Sequence, residues 1–142
     1  MNNKIKLLDG SMSFPLEKKG YNLHDKLWTG KALINDPDLI KNIHKGYIEA
    51  GADYISTATY QISFNRLEEM GYQSDEIKEI FQKSVDLVKD AILESKPKNE
   101  IKIVGSFGPY ASFDPEASEY VGEYNVSDNA IMNFHLNNIR VI

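Results

Sequence analysis

Apolar residues gather along the chain in three short blocks, and between and after those blocks they recur at the three- and four-residue spacing of a helix face. The first block, Lys4 to Leu8, sets Ile5, Leu7 and Leu8 ahead of Asp9 and Gly10, a pair that closes a short strand. In "NDPDLIKNIHKGYIEAGADYI", Asp36 can cap a helix and Pro37 suits its first position. Leu39, Ile40, Ile43, Tyr47 and Ile48 follow on one face, and Gly51 supplies the left-handed turn that ends it. Tyr54 to Thr59, β-branched and aromatic, reads as a second strand. Ser74 then caps a long amphipathic helix with Ile77, Ile80, Phe81, Val88, Ala91 and Ile92 as its buried stripe and Pro97 marking its end. Ile101 to Tyr110 is a third strand that runs into a glycine-rich turn. After a polar loop from Ala111 to Asn125, Ser127 starts a last helix with Ile131, Phe134 and Ile139 on its apolar side. The sequence stops at Ile142 without a capping glycine, so this helix is expected to be cut short.

The order β, α, β, α, β favours an α/β fold with parallel strands and right-handed crossovers. No linker, repeat or low-complexity tract divides the chain, which reads as one domain or part of one. In such folds ligands sit at the carboxyl ends of the strands. The polar residues here collect at those ends: Asp9 and Gly10 after the first, Thr57, Thr59, Tyr60 and Gln61 after the second, Gly105, Ser106 and Gly108 after the third. Each also has a plain structural reading. Asp-Gly is a common turn pair, threonines suit strands, Tyr60 suits packing as well as binding, and the glycines of "GSFGPY" allow a tight turn before Pro109.

Composition narrows the chemistry. With 142 residues, 42% of them hydrophobic and 26% charged, the chain can build a core. A formal net charge of -5 argues against a nucleic-acid partner, and the one basic pair, Lys18 and Lys19, reads as a solvated loop. Cysteine is absent, so this chain offers neither a disulfide nor a thiolate for a metal. No phosphate loop or dinucleotide fingerprint is present. His24, His44 and His135 are scattered without zinc spacing, and His44, inside a helix, is expected at the surface or partly packed. Glu68-Glu69 and Asp75-Glu76 read as solvated helix positions. No apolar run has membrane-spanning length and the first residues do not form a signal peptide, which leaves the cytoplasm as the expected location.

Four stretches together carry a resemblance: "LLDGSMSFPLEKKGYNLHDKLWTGKALINDPDLIKNIHKGYIEAGADYISTATYQIS", "SVDLVKDA", "VGSFGPYASF" and "SEYVGEYNVS". In this order they resemble the homocysteine S-methyltransferases. The resemblance implies a (β/α)8 TIM barrel that moves a methyl group from S-methylmethionine or a similar small donor to the sulfur of homocysteine, giving methionine. It implies zinc, which binds the homocysteine thiol and favours its thiolate. It also implies that Asp9 accepts hydrogen bonds from the homocysteine ammonium group and that Gly10 lets the backbone approach the substrate. Thr59 and Gln61 match the family's second strand end, and Gly105, Ser106 and Gly108 match the third, where they would shape the pocket floor.

The family's zinc ligands are cysteines, one on a later strand and an adjacent pair near the last, and this chain has none. A full barrel takes about 250 residues, so residues 1–142 are expected to form its N-terminal portion, interrupted in the helix after strand three. The isolated chain is then expected to be inactive. The alternative reading is a noncatalytic half-barrel, an assembly or binding module that associates through uncovered strand edges.

Overall fold

Three chain segments meet side by side to form the sheet, and all run in the same direction. The computed structural model describes residues 5–23, 27–113 and 124–142. Lys4, His24, the 114–123 part of the expected polar loop and most of the "SEYVGEYNVS" motif lie outside the described residues. Strand β1 is Tyr54–Ser56 and β2 is Lys102–Val104; they pair in parallel with Ile55 opposite Ile103. The segment before Asp9 joins the other edge of β1 through one parallel bridge, Leu8 to Tyr54.

All three strands are shorter than the apolar pattern predicts. The first is not a continuous strand because the Asp53 carboxylate takes the Leu7 N–H at 3.0 Å. The Leu7 carbonyl meanwhile accepts from both Asp53 and Tyr54. The second stops at Ser56. Thr57 N–H still reaches the Val104 carbonyl, but Ala58 N–H turns aside to the Ser84 hydroxyl at 2.8 Å. The third leaves the ladder before Gly105 and closes in a 3-10 turn, Tyr110–Ser112.

The crossovers are helices, as the order of elements requires. Helix α3, Pro37–Glu49, starts where expected: the Asp36 side chain accepts from Leu39 N–H at 3.3 Å, and Gly51, at φ +100°, carries the chain out of the far end. Its buried face is Ile40, Ile43, His44 and Ile48. His44 is therefore not a surface residue; it lies one turn from Ile40 and Ile48 on the stripe that packs inward, and it is fully buried. Helix α5, Ser74–Ser95, begins one residue earlier than a Ser74 cap would place it. Gln73 is the cap, and its N–H bonds the Glu76 carboxylate at 2.7 Å in a capping box. Ile77, Phe81, Leu87, Val88 and Ala91 fill its inner face together with Ser84, whereas Ile80 and Ile92 are only partly buried.

Helices α1, Ser13–Lys18, α2, Gly30–Asn35, and α4, Phe64–Glu69, have six residues each, too few for a helical period to stand out in the sequence. They nonetheless supply Leu16, Ala32, Leu33 and Leu67 to the main core, where these meet Ile40, Ile43, Ile77 and Phe81. A second cluster, Ile48, Ala52, Ile55, Val88 and Ala91, seats β1 on α3 and α5.

Helix α6, Asp128–Ile139, is capped by Ser127 as expected. Its inner face differs from the apolar pattern. Phe134 and Asn138 are buried while Ile139 is 56% exposed. The reason is a hydrogen bond: Asn138 Oδ1 accepts from the Phe64 N–H at 2.7 Å, so the helix turns an amide toward the start of α4. The chain is thus α/β with parallel strands. Among the described residues, no helix is long and apolar enough to cross a membrane.

Candidate functional site

The carboxyl ends of the three sheet segments surround a cavity of about 360 Å³ whose lining includes Asp9, Gly10, Met12, Trp28, Ser56, Tyr60, Gln61 and Ser106. Six of the strand-end residues predicted from the sequence, Asp9, Gly10, Thr57, Tyr60, Gln61 and Ser106, therefore meet there. Among the described residues, Asp9 is the only charged side chain on the lining.

Asp9 emerges from the first segment directly after the bridge to β1, its N–H bonded to the Tyr54 carbonyl at 3.0 Å. Its carboxylate is half-buried and held by one neighbour. Ser56 donates its N–H to Oδ2 at 2.9 Å and its hydroxyl to Oδ1 at 2.8 Å. Burial pushes the Asp9 carboxyl above its ordinary range, and the two Ser56 bonds pull it back. Burial also raises the Tyr47 phenol on α3, with the negative charge of Asp9 adding to it.

Gly10 lies under Tyr47. A Cβ there would come within 2.9 Å of the Tyr47 hydroxyl, which donates to the Ser11 carbonyl at 2.7 Å. The missing side chain lets the tyrosine clasp the loop that follows Asp9.

Thr59, Gly105 and Gly108 stand behind the cavity and do not line it. Thr59 is buried and works through Ser106. The Ser106 N–H donates to Thr57 Oγ1 at 3.0 Å, and the Thr59 hydroxyl donates to the Ser106 carbonyl at 2.5 Å. The two threonine oxygens are 2.8 Å apart, which leaves the Thr57 proton for Thr59 and closes a ring of four groups. This ring joins the ends of β1 and β2. Gly108 bonds the Tyr60 carbonyl through its N–H at 3.1 Å, and a Cβ on it would collide with that same oxygen. Gly105 faces the Phe107 ring, 3.1 Å from where its Cβ would be.

Among the lining residues that sequence reasoning missed, Trp28 and Ser56 matter most. Trp28, at φ +46° and 40% exposed, occupies a backbone region that bulky residues avoid. Its only sequence signal was the "LW" of the resemblance. Ser56 sits in the middle of "YISTAT", where its hydroxyl looks like one more strand residue; only the pairing of β1 with the first segment brings it to Asp9.

The zinc implied by the resemblance does not fit this chain. It has no cysteine, and among the described residues no group of three or more His, Cys, Asp or Glu is placed to hold a metal ion.

Comparison with known proteins gives a consistent result. The family model described as homocysteine S-methyltransferase matches residues 6–142. A homocysteine S-methyltransferase of Bacillus subtilis, YbgG, is 38% identical over 136 residues, an alignment that covers 91% of this chain and 43% of the relative. One from Escherichia coli is 37% identical over 135 residues, with 92% and 44% covered. The crystal structure of the metallated homocysteine methyltransferase MmuM from Escherichia coli superposes with a TM-score of 0.86 at 34% identity, covering 99% of this chain and 50% of that one. The chain thus spans about half the length of the relatives it matches.

Proposed function

The chain belongs to the homocysteine S-methyltransferase family, and from that premise we propose that it is the homocysteine-binding, N-terminal portion of a (β/α)8 barrel methyltransferase. The reaction is transfer of a methyl group from S-methylmethionine or a similar small donor to the homocysteine sulfur, with methionine as product. The observation that carries this reading is Asp9, the one charged side chain among the described residues that line a cavity at the strand ends. A half-buried carboxylate with no basic residue among the described cavity-lining residues is a receptor for a cationic group, and the ammonium of an amino acid is such a group. Gly10, Gln61 and Ser106 flank it, and Thr59, Gly105 and Gly108 fix the loops behind it.

The cysteines that hold zinc in the family are not in this sequence, so the part proposed here is substrate recognition, not the metal centre. No nucleic-acid or membrane partner enters the proposal, and the cytoplasm is the proposed location. Calorimetry with L-homocysteine tests the reading: binding to the 142-residue chain that weakens on Asp9→Asn supports it, and equal affinity of the two proteins returns Asp9 to a turn residue. The same chain is expected to give no methionine in a methyl-transfer assay, with or without added zinc.

A second reading, a noncatalytic half-barrel that associates with itself, is favoured by one observation. Ile5, Leu7 and Leu8, at the edge of the sheet, are 81%, 53% and 61% exposed.

A further inference from the structure

Among the described residues, the support of the Asp9 carboxylate comes from a single one. Among the described residues lining the cavity no lysine, arginine or histidine balances its charge. Tyr47 on α3 is the titratable group whose electrostatic field meets it, and the Tyr47 hydroxyl gives its proton to the Ser11 carbonyl. What remains beyond Asp9's own amide is Ser56, whose N–H and O–H reach one carboxylate oxygen each, at 2.9 and 2.8 Å.

We propose that Ser56 is a positioning residue: by donating to both oxygens of Asp9 it fixes the plane of the carboxylate and leaves the other lone pairs for the ligand's ammonium group. The inference rests on the homocysteine reading above and deepens it. The geometry fits the role. Two donors on adjacent atoms of one residue approach the carboxylate as a fork, which sets its rotation as well as its distance. Ser56 is on β1, the central segment of the sheet, so the fork is anchored in backbone that pairs on both sides. Because the serine proton is committed to Asp9, the hydroxyl acts through the carboxylate and not on the ligand. The two bonds also stabilise the ionised form against the burial that disfavours it.

The test compares the 142-residue chain with Ser56→Ala, which keeps the N–H and loses the hydroxyl, and Ser56→Thr, which restores a hydroxyl. Carbon-detected NMR follows the Asp9 carboxyl through its titration, and calorimetry at pH 7 with a reductant measures L-homocysteine binding. The Asp9 midpoint is expected to rise in Ser56→Ala and return in Ser56→Thr. Affinity is expected to fall about tenfold in Ser56→Ala, the loss of one charge-assisted bond, and to recover in Ser56→Thr. Thermal melts of the three proteins report whether each is folded. An unmoved Asp9 midpoint in Ser56→Ala overturns the proposal, as does a moved midpoint with unchanged homocysteine affinity. If the unmutated chain binds no homocysteine, the functional reading fails and the positioning role falls with it. The titration still separates that outcome from a Ser56 that never touched Asp9.

Discussion

At the scale of single residues, two ionisable groups, one half-buried and one fully buried, bear on the fold and the site in different ways. Asp9 is kept ionised in a place that disfavours charge: its folded pKa lies above the ordinary value, so its contribution to stability falls as pH rises from about 4 through the folded value. Asp9→Asn is therefore expected to melt at the same temperature as the parent or higher at pH 7, while homocysteine binding weakens by on the order of 1 to 3 kcal/mol. Melting curves and calorimetry on one preparation check both halves. His44 has no partner for either ring nitrogen, and burial alone lowers its pKa from 6.5 to about 4. Its neutral form is the one that folds. The stability it supports is complete above pH 6.5 and is lost as pH falls toward 4, by up to about 3 kcal/mol. Urea denaturation across that window should show the slope, and His44→Leu should flatten it. The sequence made Asp9 legible because a carboxylate ended an apolar block. It hid His44, since a histidine at helical spacing looks the same whether the face it occupies is wet or dry.

At the scale of elements, the loops at the strand ends are held by a few buried bonds. Ser84, in the middle of α5, accepts the Ala58 N–H and is fully buried, so Ser84→Ala leaves a backbone donor unpaired. A loss of about 1–3 kcal/mol in chemical denaturation is expected. Gly108→Ala forces a methyl group against the Tyr60 carbonyl and the Ser112 hydroxyl, and overpacking of this kind costs about 1–3 kcal/mol. By contrast, Glu94 bridges Lys41 and Lys45 in solvent, and Glu94→Ala should leave the denaturation curve where it was. The two long crossover helices were legible because thirteen and twenty-two residues repeat an apolar stripe often enough to be seen. The short helices were not, and the strands were overextended, because where a ladder ends depends on Asp53 and Ser84, residues distant in sequence that capture its N–H groups.

At the scale of the molecule, order and direction of the segments followed from the sequence: helices of crossover length between apolar blocks leave parallel pairing as the simple arrangement. What sequence pattern could not supply was the neighbour of the outermost segment. Ile5, Leu7 and Leu8 face solvent, and a concentration-dependent sedimentation coefficient is expected for the 142-residue chain. A coefficient constant over a hundredfold dilution would remove the second functional reading. That outermost segment is also fastened in an unusual way. One bridge joins it to β1, and a carboxylate grips it at each end: Asp53 holds Leu7 N–H and Lys6 on one side, and Asp9 reaches Ser56 on the other. With so little holding it, this edge should exchange its Leu7 amide faster than Ile55, seated between two helices, exchanges its own, so the leading edge peels before the body of the molecule yields.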